Sequence, residues 1–214
     1  DVDWTKQFLA HPVKKKPGTF FRYNTPASYM LGAIVKKTTG EDLADYLEPR
    51  LFKPLGIRKP KWLTSPQGLS IGGYGLYVRT EDIAKFGQLY LQNGKWKGKQ
   101  LLPENWVKEA TSKQVDNSNG IISRNSDWLV GYGYQFWQCR HGVYRGDGKD
   151  GQFCIVMPQY NTVVAMTADN QDMQAQLNLV WEHILPALKD KPLLANKKAQ
   201  RKLKRAVAKL KASK

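Results

Sequence analysis

A chain of 214 residues, 41% hydrophobic and 11% aromatic, has enough apolar material for one domain with a core and too much for a disordered protein. No apolar run reaches membrane-spanning length, and the first residues lack the pattern of a signal peptide. The net charge of +16 is uneven: residues 189–214 hold eleven Lys or Arg against the single acid Asp190, a net +10, which leaves +6 for residues 1–188.

In chain order, a short amphipathic segment is expected over about Val2 to Leu9. The stretch GTFFRYNTPASYML, residues 18–31, then opens a helix. Thr25 suits the N-cap and Pro26 the first helical position, where its missing donor costs nothing. Tyr29, Leu31, Ile34 and Val35 supply apolar residues at three- and four-residue spacing, and Gly40 ends the helix. Tyr23 is thereby placed on a short turn at the positive end of a helix dipole. A second helix is predicted over Glu41 to Leu51, stopped by Pro54-Leu55-Gly56. After a Pro- and Gly-rich stretch, Thr80 is expected to cap a third helix, with Ile83, Phe86 and Tyr90 on one face and Gly94 at its end. Pro103 to Ala110 reads as a fourth, followed by a polar loop from Thr111 to about Asp127.

The period then changes to two. Tyr132, Tyr134 and Phe136 alternate as in a strand; Gln152 to Met157 and Thr162 to Ala168 are two more, joined by a hairpin turn at Pro158 to Asn161. Asp172 to Leu188 is a predicted long helix with Met173, Leu177, Val180, Trp181 and Ile184 as its buried stripe. Helices, three antiparallel strands and a final helix form an α+β order rather than a run of βαβ units. The expected division is a domain over residues 1–188 and a basic tail over 189–214. Leu203, Val207 and Leu210 fall on one side of a tail helix, and its cations can hold an anionic surface weakly.

The side chains that carry chemistry offer few patterns. His11, His141 and His183 lie in different elements with no ligand spacing, so neither a metal nor a Ser-His-Asp arrangement is read. Cys139 and Cys154 fit either a disulfide between neighbouring strands or two buried thiols. Gly146-Asp147-Gly148-Lys149-Asp150-Gly151 joins strands and opens no helix, which sets nucleotide binding aside. It either brings backbone N–H groups and Arg145 or Asp147 to the rim of a cleft or is simply a tight hairpin. Lys95 to Lys99 interleaves Trp96 with cations but reads as a surface turn, so no specific nucleic-acid partner is expected. Tyr23 is either a packed aromatic or a proton-transfer group. The second role needs a lowered pKa, from the helix start or from Arg22 and Lys14 to Lys16.

Several segments in order resemble one family. Pro17-Gly-Thr-Phe-Phe-Arg-Tyr-Asn-Thr25 resembles its Tyr-x-Asn motif, and Leu31 to Val35, Thr39-Gly40 and Leu51 to Gly56 resemble the family segments C-terminal to that motif. Gly72-Gly-Tyr-Gly-Leu76 with Thr80 to Gly87 matches a further landmark, and Arg145 to Gln152 falls where the third motif, Lys-Thr-Gly or His-x-Gly, is carried. Over nearly all of residues 1–188 the chain is similar to serine β-lactamases and penicillin-binding-protein-like hydrolases, in the branch of class C β-lactamases and related esterases. The resemblance implies an antiparallel sheet flanked by helices with a mostly helical lobe. It implies attack by a Ser-x-x-Lys serine on an ester, amide or lactam carbonyl of a small or peptide-like substrate, without a cofactor. It makes Tyr23 the general base and assigns substrate contacts to Asn24, Thr25, Arg145, Gly146, Asp147 and Gly148. It also implies a periplasmic or secreted location.

The departures are specific. No serine in residues 1–214 has lysine three positions on, and only 22 residues precede Tyr23. The expectation is the C-terminal part of a longer serine hydrolase, inactive alone, with the missing N-terminal segment as its partner. Motif two reads Tyr-Asn-Thr, with Thr25 at the Asn position. At motif three Arg145 or Gly146 stands where the family's cation meets a substrate carboxylate, followed by Asp147 or Gly148. The rival expectation is a non-catalytic member whose cleft binds a ligand or partner.

Overall fold

A computed structural model describes residues 2–191 and 193–212. Helix α1 (Trp4–Ala10) starts at Asp3, whose carboxylate accepts the backbone N–H groups of Thr5 and Lys6. Helix α2 (Thr25–Thr39) starts one residue earlier than the cap assignment predicts. Asn24 is the N-cap, its Oδ1 accepting Ala27 N–H at 3.2 Å, and Thr25 and Pro26 are the first two helical residues. Both neighbours are good capping types, and the shorter loop selects Asn24. Gly40 ends α2 in the left-handed region at φ +79°.

Helix α3 (Leu43–Leu47) runs through a wider π turn, Glu48–Phe52, into α4 (Lys53–Leu55) and stops at Gly56, so the second predicted helix is longer and irregular. Its N-cap Asp42 also receives the backbone N–H and hydroxyl of Ser70. Strands β1 (Lys61–Trp62) and β2 (Leu76–Tyr77) form a two-stranded ribbon. Helix α5 (Thr80–Leu91) is capped through Asp82, which accepts Arg79 N–H at 3.3 Å. Thr80, the expected cap, instead places its hydroxyl 3.0 Å from that of Thr167. A second ribbon, β3 (Lys95–Trp96) with β4 (Lys99–Gln100), and α6 (Glu104–Thr111) come next.

The main sheet is antiparallel in the order β5 (Trp137–Gln138), β6 (Tyr144–Gly148), β7 (Gln152–Met157), β8 (Thr162–Met166). Two expectations are corrected here. The alternating run from Tyr132 contributes only Trp137 and Gln138 to a strand, while Tyr132 makes isolated bridges to Val115 and Trp137. The glycine-rich stretch expected as a loop is strand β6, with Gly146 opposite Cys154 and Gly148 opposite Gln152. Its turn is confined to residues 149–151, where Asp150 and Gly151 have φ +65° and +94°. The hairpin at Pro158–Asn161 is present as a single 3-10 turn ending at a left-handed Asn161.

α5 lies against β7 and β8. It approaches most closely at Gly87, where a Cβ would stand 2.6 Å from Val163 Cγ1 and 2.8 Å from Cys154 Sγ. Leu89 belongs to one apolar cluster, with Phe52, Leu55 and Ile57. Tyr90 belongs to another, with Val107, Phe136, Tyr144 and Val156, so α5 is common to both parts of the core. The result is an α+β fold with an antiparallel sheet and flanking helices.

The chain divides into two compact units, one up to Asn178 and one from Leu179. Helix α7 (Met173–Leu179) closes the first; a π turn over Val180–Ile184 and a 3-10 turn over Leu185–Ala187 replace the rest of the predicted long helix. Of its expected stripe, Leu177, Val180 and Trp181 are buried, whereas Ile184 is exposed. The second unit ends in α8 (Lys197–Ala212), for which Asn196 Oδ1 accepts Ala199 N–H at 2.9 Å. Among the described residues no helix is long and apolar enough to cross a membrane.

Candidate active site

Tyr23 sits on the extended segment that leads into α2, and a distant side chain fixes that segment. Asn119 accepts Phe21 N–H at 3.0 Å and donates its amide to Phe21 O at 2.8 Å, as a neighbouring strand would. The Tyr23 ring stacks on Trp137 at 5.7 Å between centroids and 20° between planes, and stands edge-on to Tyr132 at 6.3 Å. Phe21 packs on the same two rings. Tyr23 nonetheless remains 49% exposed.

Trp137 connects this motif to β6. It pairs across the ladder with Arg145, and Arg145 and Asp147, two residues apart on a strand, share a face. Arg145 is wholly buried. Its Nε donates to Asp147 Oδ2 at 3.1 Å, and Nη2 lies 3.0 Å from the same oxygen without a well-aligned hydrogen bond. Nη1 donates to Asp127 O at 2.8 Å and to Cys139 Sγ at 3.0 Å. The guanidinium carbon is 4.4 Å from the Trp128 ring centre and 5.5 Å from that of Trp137. A buried guanidinium survives when its charge is paired and its flat faces meet aromatic rings, and both conditions hold here. Asp147 also accepts a hydrogen bond from Trp137.

The electrostatics derive from this burial. Desolvation raises the Asp147 pKa, opposed by the Arg145 charge and the hydrogen bonds from Arg145 and Trp137. The Tyr23 pKa is also raised, first by burial and then by the Asp147 carboxylate. The lowering that the helix start, Arg22 and the Lys14 to Lys16 run were expected to supply is therefore not found. At neutral pH Tyr23 is a protonated phenol, a donor rather than a standing base.

The structure brings Tyr23 together with Trp137 and with the Asp147 charge. Asn24 and Thr25 serve the helix start. Asn24 caps it, and Thr25 lies under Gly73, where a Cβ would be 2.7 Å from Thr25 Cγ2 and 2.8 Å from its carbonyl oxygen. Gly72 meets the next turn, with a Cβ position 2.8 Å from Ser28 O, so the Gly72-Gly73 landmark packs on α2 as only glycine can. Gly146 and Gly148 lie in β6, and Arg145 offers no surface for a ligand.

Other residues of this region carry no sequence motif. Gln135, at φ +65°, accepts hydrogen bonds from Ser28 Oγ at 3.3 Å and Tyr132 Oη at 3.4 Å, linking α2 to the segment before β5. Asp127, also fully buried, accepts Arg140 N–H and its guanidinium together with Gln174 Nε2, while its own N–H donates to Gln174. The density of aromatics over residues 128–137 is the one sequence signal that marks this wall. Both cysteines are free and buried. An apolar groove of about 460 Å³ between α1 and α2, lined by Trp4, Phe8, His11, Pro26, Tyr29 and Tyr74, includes neither Tyr23 nor Asp147.

Known proteins share this fold. A structure of a Bacillus anthracis protein provisionally assigned as a 6-aminohexanoate-dimer hydrolase is similar at TM-score 0.71 and 23% identity, over 87% of this chain and 50% of that one. A penicillin-binding protein from Bacillus halodurans is similar at TM-score 0.61 and 20% identity, over 84% and 62%. An uncharacterised protein of Alkalihalophilus pseudofirmus is 28% identical over 180 residues, which are 72% of this chain and 53% of that protein. The chain thus spans about half the length of that curated relative. The Beta-lactamase family model matches residues 2–188, nearly the whole of the first unit and beyond half of the chain, so the chain belongs to the β-lactamase family.

Proposed function

We propose that residues 1–188 supply the second and third motifs of an acyl-transfer hydrolase site whose serine nucleophile comes from outside residues 1–214. The observation that carries this reading is the Tyr23–Trp137 stack with the Asp147 carboxylate beside it, which unites the two motif regions on one wall. In the reaction the serine oxygen, its proton taken by a base that, like the serine, comes from outside residues 1–214, adds to the carbonyl; the tetrahedral species expels the leaving group to give an acyl-enzyme; water then adds, and the serine leaves and regains its proton from that base. A protonated Tyr23 suits delivery of a proton to the departing oxygen or nitrogen. The phenolate left beside Asp147 is then a strong base, fit to take a proton from the incoming water.

Arg145 bears on the substrate. In the family a cation at this motif meets a substrate carboxylate, but here the guanidinium is buried and already paired with Asp147. Of the two, only the Asp147 side chain retains any exposure, 11%. This favours an ester or amide without a carboxylate next to the scissile bond over a β-lactam antibiotic.

In the protein that carries the nucleophile, Tyr23→Phe is expected to lower turnover of a simple aryl ester by about 10²-fold; near-normal turnover removes Tyr23 from the mechanism. A fluorophosphonate probe should leave the 214-residue chain unlabelled at serine, and labelling would locate the nucleophile inside it. The lack of a Ser-x-x-Lys in these residues also favours a second reading, a member whose cleft binds a ligand without turnover. A coding sequence upstream of Asp1 that lacks Ser-x-x-Lys would select it.

A further inference from the structure

Helix α8 spans 16 residues, about 24 Å of helix. Ala199, Leu203, Ala206, Val207 and Leu210 fall within an arc of about 100° at 3.6 residues per turn. That arc is bare: Leu203 is 65%, Val207 43% and Leu210 71% exposed, and Leu193 and Leu194 just before the helix are exposed too. The other eleven residues of the helix are eight Lys or Arg with Gln200, Ala208 and Ala212. Lys202 and Lys209 border the arc on one side and Lys204 on the other, with Arg201 and Arg205 opposite. Residues 191–210 contain no acid.

We infer that α8 is an interfacial helix that lies in the surface of an anionic lipid bilayer, leucines toward the acyl chains and cations at the headgroups. The two faces together select this occupant. A nucleic acid would use the cations and leave the leucine arc in water. A bilayer with anionic headgroups satisfies both, and a helix divided this sharply into an apolar and a charged face, with low mean hydropathy, lies on a membrane rather than crossing it. The inference is independent of the acyl-transfer reading.

Co-sedimentation of the 214-residue chain with vesicles tests it. Binding is expected to phosphatidylcholine vesicles containing phosphatidylglycerol, to weaken steeply with added salt, and to be absent with phosphatidylcholine alone. Leu203→Ser with Leu210→Ser keeps every charge and should weaken binding by about tenfold or more. Leu203→Met with Leu210→Met keeps the apolar arc and should stay within about threefold of the parent. Equal binding by the serine pair would overturn the inference in favour of simple attraction to polyanions. Loss of binding in the methionine pair, failure of the parent to bind the anionic vesicles, or its transfer from them to a duplex oligonucleotide competitor would each overturn it as well.

Discussion

Arg145 and Arg201 are the same side chain in opposite settings. Arg145 has no exposed surface; it is bonded to a carboxylate, a carbonyl and a thiol and lies against two indoles. Arg201 stands in solvent on a helix without acids. The first is enclosed within the first unit, with no exposed surface. The second is exposed on α8. A composition that sums both into one net charge conceals this difference.

Substitutions along a series from buried to exposed charge test the contrast. Arg145→Met should have the largest effect, a loss of about 3–5 kcal/mol, because it leaves Asp147 buried without its counter-ion. Adding Asp147→Leu should restore much of the loss, since an apolar pair of similar volume replaces the ion pair. Urea unfolding measures both, and a small effect of Arg145→Met alone would mean that water reaches the pair.

Asp42, half-buried at the start of α3, is intermediate. Burial alone would raise its pKa, but the hydrogen bonds from the Ser70 hydroxyl and backbone, then from the Ala44 and Leu43 backbone, outweigh it and hold the value below the ordinary carboxylate. A folded pKa below the unfolded one means that the unfolded chain binds more protons in that window. The contribution is therefore complete above the unfolded value and is lost as pH falls through the folded one. Thermal unfolding between pH about 6 and about 3 should show a shallower acid limb for Asp42→Asn than for the parent. An unchanged limb would remove Asp42 from acid unfolding. At the exposed end, Arg201→Gln should change stability by less than about 0.5 kcal/mol. A larger loss would show that α8 leans on the fold through this residue.

The same contrast explains what the sequence could tell. Local chemistry was readable: Gly40 ends α2 because only a left-handed residue fits there, and the Pro158–Asn161 turn joins β7 to β8 as its composition indicates. Motif order was readable too, and it led to the family. The Asn24 cap was obscured because Asn24 and Thr25 are equally good local choices. Strand β6 was obscured because Gly146 and Gly148 supply no side chains to show a period of two. The enclosure of Arg145 draws on Trp128, Trp137, Cys139 and Phe153 from separate segments, and the Tyr23 pKa depends on Asp147 in a different motif. No window along the chain contains these neighbours at once.

The two cysteines have a practical side. Burial pushes the Cys139 thiol up to about 11, although Arg145 opposes it, and the Cys154 thiol up to about 12. Thiolate is the form that reacts with electrophiles and oxidants, so both sulfurs are chemically quiet while the chain is folded. An acylating or alkylating reagent offered to the native chain therefore meets no exposed thiol, and its labelling pattern can be read without a cysteine background. The appearance of thiol labelling would in turn serve as a chemical clock for the opening of the sheet.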